Sequence, residues 1–98
     1  MALTNRTLII FKYLWETTDE ALPVSLADIS AVLKQYEITA DPRTLRKDIE
    51  QLIEFGVDIV KDRRVQNLYH VATRHFEAPE VKLLIDAVQS AQIGRAHV

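Results

Sequence analysis

Asp41-Pro42-Arg43-Thr44-Leu45-Arg46-Lys47-Asp48-Ile49-Glu50-Gln51-Leu52 holds a helix start, a basic first turn and an apolar rear face within twelve residues. Asp41 is placed to accept hydrogen bonds from the free N–H groups of the first turn. Pro42 suits the first helical position, where a missing N–H costs nothing. Leu45, Ile49, Leu52 and Ile53 recur at i, i+4, i+7 and i+8, a spacing that predicts one buried face. Arg43, Thr44, Arg46 and Lys47 fall elsewhere on the first turns and are free to reach outward. A helix that buries its back and shows cations at its tip has the form of an element that enters a DNA major groove.

Upstream, residues from about Asn5 to Glu16 predict a first helix with Leu8, Phe11, Leu14 and Trp15 on one side. A polar connection, Thr17 to Pro23, follows, and Pro23 discourages helix continuation. Ser25 then caps a second helix, with Asp28 completing an approximate capping box, and Ile29, Val32, Leu33 and Tyr36 line its apolar face. Glu37 to Ala40 form the turn into the third helix, which Gly56 ends in a left-handed turn. Val57-Asp58-Ile59-Val60 and Leu68-Tyr69-His70-Val71 predict two strands around the polar tip Asp62 to Asn67. Pro79 then stands in the first turn of a fourth helix that carries Val81, Leu84, Ile85 and Val88 on one face. The fold class is therefore mainly α with a small β-hairpin, and its element order is that of a winged helix-turn-helix plus a C-terminal linker helix.

Composition bounds the function. The chain has 98 residues, 48% apolar and 27% charged, which predicts one soluble globular domain. It has no cysteine, which excludes disulfides and thiolate metal sites and favours a reducing, cytoplasmic setting. The longest apolar run, Leu8-Ile9-Ile10-Phe11, is far too short to span a bilayer, and the N-terminus lacks a signal-peptide plan. Net charge is −2, yet residues 43–75 carry seven cations against five anions, clustered at 43–47 and 61–64. Local potential rather than net charge steers a polyanion.

The run Arg43-Thr44-Leu45-Arg46-Lys47-Asp48-Ile49, followed by Leu52, Gly56-Val57, Ile59 and Tyr69, resembles the DeoR-like N-terminal domain of bacterial WYL-domain transcriptional regulators. The segment from Arg74 to Val88 is similar to the linker helix that precedes the WYL ligand-sensing domain, so the resemblance covers roughly residues 5–92. Two positions depart from the family pattern. Lys47 stands where arginine is usual, which removes a bidentate donor, and the hairpin tip has Asn67 and no glycine.

The resemblance implies sequence-specific binding of double-stranded DNA. A recognition helix at about 42–55 would lie in the major groove, and a wing at about 61–67 on the flanking backbone or groove. Arg43, Thr44 and Lys47 would contact phosphates or base edges. Arg46 stands at a family-variable position, which makes it the candidate for sequence discrimination, for example at a guanine. Arg63 and Arg64 on the wing would reach a neighbouring groove or phosphates. Asp48 reads as structural, orienting a nearby arginine. Each cation also has the plain reading of a solvated side chain, and the helix context favours DNA contact for Arg43 and Arg46 ahead of the others.

Other residues read as structural. Trp15, Tyr13, Tyr36 and Phe55 lie in or beside apolar stripes, and Tyr69 is positioned to pack the hairpin onto the third helix. His70, His75 and His97 lack metal-site spacing, no catalytic constellation has a supporting context, and no cofactor is expected. The expected organisation is a DNA-binding domain at 1–75, a linker helix at 76–92 and a non-native tail at 93–98. The tail Ile93-Gly94-Arg95-Ala96-His97-Val98 is similar to the translation of a sequencing-library adapter (ATC GGA AGA GCA CAC GTC). That similarity predicts a native chain continuing toward a ligand-sensing domain, the only part that would bind an effector. Leu84, Ile85 and Val88 would then lack a native partner and could pair two chains. The alternative function is accordingly a winged-helix protein-interaction or homodimerisation module without specific DNA binding.

Overall fold

The structure, a computed structural model, describes residues 3–62 and 67–90. Its helices begin where the sequence supplies acceptors for the free N–H groups. In α1 (Asn5–Thr17) the Thr4 hydroxyl accepts the Thr7 N–H at 3.1 Å. In α2 (Leu26–Lys34) Ser25 and Asp28 form a complete capping box, each side chain accepting the other's N–H. In α3 (Pro42–Glu54) Asp41 accepts the Thr44 N–H at 2.8 Å, with Pro42 at the first position. Gly56 ends α3 at φ 104°: its N–H reaches Ile53 O, and Val57 N–H reaches Leu52 O. Those two bonds satisfy carbonyls of the last turn, and the left-handed backbone at Gly56 favours glycine. Glu37 takes the corresponding place after α2 at φ 62°.

Strands β2 (Asp58–Asp62) and β3 (Leu68–Thr73) form the expected hairpin, with Ile59 opposite Val71 and Lys61 opposite Tyr69. The register slips between Asp58 and Ile59, which leaves Ala72 as an extra residue in β3. A third strand, β1 (Val24–Ser25), pairs antiparallel with β3, placing Val24 opposite Tyr69. Its two residues are too few to show an alternating pattern, and Ser25 also caps α2, so sequence periodicity does not mark it. The protein is thus mainly helical, with a small antiparallel sheet ordered β1-β3-β2.

Helix α1 is the hub: it packs against α2, α3 and β3, and also against α4 (Pro79–Ser90). Phe11 and Leu14 of α1, Ile29 and Leu33 of α2, Leu45 and Leu52 of α3, and Val71 of β3 are fully buried. The end of α1 is pinned to the central strand by polar bonds. The Thr18 hydroxyl donates to Leu14 O at 2.6 Å and accepts the Val71 N–H at 3.0 Å. Arg74 donates to Trp15 O, Thr18 O and Val71 O. A cation on the last carbonyls of a helix also opposes the negative end of its dipole.

Two expectations are corrected here. Ile53 is 45% exposed, whereas Asp48 is buried. With about 100° per residue, Ile53 lies roughly 80° to one side of Leu45 and Asp48 roughly 60° to the other, so α3 is rolled toward Asp48. Partners for Asp48 on α1 make that roll possible. The second correction concerns the fourth helix. Val81, Leu84 and Val88 are buried within the chain, with α4 seated on α1, and Ile85 is half-buried. Leu84 and Val88 therefore have a partner within the chain, in α1.

No helix among the described residues is long and apolar enough to cross a membrane.

Candidate nucleic-acid interface

Arg43, Arg46 and Lys47 are all exposed on the first two turns of α3, and Thr44 beside them is half-buried. The buried face of α3, Leu45, Asp48, Ile49 and Leu52, lies on the other side of the helix. Counting about 100° per residue, the three cations fall within an arc of roughly 100° opposite that face. Glu50 and Glu54, also exposed, continue the same outer face toward the C-terminal end. The outer face of α3 is therefore basic for two turns and acidic for the next two.

That arrangement runs against helix electrostatics. The N-terminal end of a helix carries the positive end of its dipole, where anions stabilise and cations destabilise by about 0.3–1 kcal/mol each. α3 has no acidic residue in its first turn and carries Arg43 there. Among the described residues, Arg43, Arg46 and Lys47 form no ion pair. Arg43 at the positive end of the dipole, with Arg46 and Lys47 one turn on, makes a region whose free energy falls when an anion arrives.

The tip is capped by Asp41. The Thr44 N–H and hydroxyl, and then the charges of Lys47 and Arg46, hold its carboxyl below the usual aspartate range. A carboxyl lowered in the folded state stabilises that state above its ordinary value near 4, and the benefit is lost as pH falls through the lowered value. Acidification below about pH 4 is therefore expected to fray the first turn of α3. Faster amide exchange at Thr44 and Leu45 on acidification, relative to Ile49 and Leu52, would register it. Uniform behaviour along α3 would mean that Asp41 does not set the stability of the tip.

Arg46 lies across a groove of about 200 Å³ from Lys61 of β2. Ile49, Ile53, Ile59 and Tyr69 line this groove, and the Lys61 ammonium stands 5.8 Å over the Tyr69 ring. Tyr69 is buried, borders the groove whose other side is α3, and supports Lys61 from below. Arg63 and Arg64 lie outside the described residues. Arg74, one of the seven cations of the basic segment, is engaged by backbone carbonyls and stands 5.6 Å over the Trp15 ring.

Sequence reasoning places Asp48 as an arginine's partner but does not identify which. The partner is Arg6 of α1, 42 positions away. Arg6 Nε donates to Asp48 Oδ2 at 2.5 Å and Nη2 to Oδ1 at 3.1 Å. The Thr7 hydroxyl also donates to Oδ1, at 3.1 Å. Because that proton goes to Asp48, the Thr4 hydroxyl, 2.9 Å from Thr7 Oγ1, must be the donor of the next bond. Hydrogen bonding to Asp48 raises the Arg6 pKa beyond its already high value, so Arg6 is a permanent cation. The only sequence signal for it is a lone arginine in the first turn of a helix without an acidic neighbour.

Arg6 also lines a cleft of about 370 Å³ between α1 and α3, together with Thr44 and Lys47. No group of three or more metal-binding side chains is found among the described residues. No family model matches the chain, and no curated protein or solved structure matches it either.

Proposed function

We propose that this chain is a winged helix-turn-helix domain that binds double-stranded DNA with sequence preference, as the DeoR-like domains of WYL-domain transcriptional regulators do. The observation that carries the proposal is the set of unpaired cations, Arg43, Arg46 and Lys47, on the exposed tip of a helix whose rear face is locked into the core. An isolated basic surface is usually only solvated. Here Arg43 sits in the first turn, at the positive end of the helix dipole, where fold stability alone disfavours it, and Arg46 and Lys47 follow one turn on. DNA phosphates remove that conflict.

The polarity of α3 fixes how it would dock. Its basic first two turns enter the major groove, while Glu50 and Glu54 keep the second half away from the backbone phosphates. Lys61, across the groove from Arg46, reaches a flanking phosphate from the hairpin side. The proposal includes no catalytic step, and it places the protein in the cytoplasm beside its target. The alternative of an interaction module paired through α4 is weakened, because Val81, Leu84 and Val88 are covered by α1.

Arg46→Ala tests the proposal. On a duplex selected from random DNA by the wild-type protein, the variant is expected to lose about 1–3 kcal/mol and to relax preference at one base pair. Equal loss on every sequence would reassign Arg46 to the backbone. Unchanged affinity, with binding insensitive to salt, would remove the DNA reading altogether.

A further inference from the structure

We propose that the cleft between the N-terminal ends of α1 and α3 is a phosphate seat, with Arg6 as its directing ligand and Lys47 as its second cation. The seat deepens the DNA-binding reading and rests on it: the phosphate it takes is a backbone phosphate beside the major groove that α3 enters.

The geometry of Arg6 carries the inference. Asp48 takes one edge of the guanidinium through Nε and Nη2, and Nη1 has no protein partner among the described residues. A guanidinium has five N–H donors in a fixed plane, so fixing one edge aims the other. The arginine side chain is 29% exposed while its carboxylate partner is 6% exposed, so the carboxylate is the anchor, and Arg6 lines the cleft. A flexible surface arginine would lose rotamer freedom on meeting a phosphate; Arg6 has already lost it.

The charges along the cleft give it a direction. The Arg6–Asp48 pair is neutral in sum, so the net positive charge at the mouth comes from the exposed Lys47, and Arg6 supplies oriented donors. Glu50 stands one turn beyond Lys47, and Glu54 closes the far end roughly 10 Å along the axis from Lys47 at 1.5 Å per residue. An anion is therefore confined to the mouth, beside Thr44 and Lys47. That position lies on the α1 side of α3, whereas Lys61 lies on the hairpin side. The two together would bracket the tip of α3 between phosphates on opposite strands of one groove.

Removing Arg6 alone strands a buried carboxylate, so the decisive variant is Arg6→Met/Asp48→Leu. It replaces both partners by apolar groups of similar size and leaves local net charge unchanged. Two readouts are taken on the full chain. In the first, inorganic phosphate is titrated into the wild-type protein and the Arg6 Nε–H, Thr44 N–H and Lys47 N–H signals are followed by NMR. They are expected to move together and saturate, while the Arg74 Nε–H stays fixed. Absence of a saturating shift at Arg6 would overturn the seat. In the second, DNA affinity is measured against salt. The double variant is expected to bind all sequences roughly tenfold more weakly at 0.1 M salt, with the slope of log K against log salt close to wild type because local net charge is unchanged. Wild-type affinity in the folded double variant would make Arg6 purely structural and end the proposal. If phosphate moves Arg6 but no duplex binds the wild-type protein, the seat stands and the DNA reading falls.

Discussion

Arg6→Ala is expected to lower the melting temperature by about 10 °C or more, and Asp48→Ala by distinctly less, although the two changes break the same pair. The asymmetry follows from burial. Asp48 is only 4% exposed and accepts three hydrogen bonds, two from Arg6 and one from Thr7. Removing Arg6 leaves an uncompensated carboxylate inside the α1–α3 interface, the situation that costs about 3–5 kcal/mol. Removing Asp48 leaves an arginine that is 29% exposed and borders a cleft open to solvent, so it can hydrate. That loss should resemble an ordinary charged hydrogen bond, about 1.5–3 kcal/mol. For a domain near 100 residues, each kcal/mol moves the transition by about 4–8 °C. Calorimetry on the two single variants and the Arg6→Met/Asp48→Leu double variant gives the comparison. The double variant should melt close to wild type. Equal losses for the two single changes would mean that water reaches Asp48 as easily as Arg6.

The same pair marks the boundary of what the sequence discloses. The start and end of α3 are readable because their causes are local: Asp41 accepts an N–H three residues on, and Gly56 adopts a conformation other residues resist. The capping box of Ser25 and Asp28 is readable for the same reason. What governs the placement of α3 is not local. Arg6 and Asp48 are separated by 42 positions, and nothing in the neighbourhood of either residue identifies the other. Their union also decides that α3 rolls Ile53 outward, which an apolar count along the helix cannot foresee. Arg74 behaves similarly. By composition it belongs to a basic cluster, yet its guanidinium closes the end of α1 through Trp15 O and Thr18 O. Of the cations singled out from sequence, Arg43, Arg46 and Lys47 fall on one exposed face. Arg6, which the structure adds, sits at the edge of that face through a contact only the fold creates.

Leu84→Ala is expected to cost about 2–5 kcal/mol, whereas Leu83→Ala, one position earlier, should stay within about 0.5 kcal/mol of wild type. Leu84 is 1% exposed and Leu83 64%, so the neighbouring leucines isolate packing from composition and helix propensity. The prediction turns on whether α4 belongs to the core or only departs from it. As a linker toward a further domain, α4 would contribute little to this fold, and both substitutions would be mild. The structure instead seats α4 along α1, and Val81 in its first turn lies under the turn that ends α3. A Cβ placed on Gly56 would stand 3.5 Å from Val81 Cγ2. Helix α4 therefore helps close the core and backs the hub helix that carries Arg6. Loosening it should reach the basic tip indirectly, through α1. Thermal unfolding of the two variants, with hydrogen exchange at Leu14 and Leu52 as the local readout, decides the matter. A mild Leu84→Ala accompanied by unchanged protection at Leu14 would make α4 a peripheral extension rather than a structural wall.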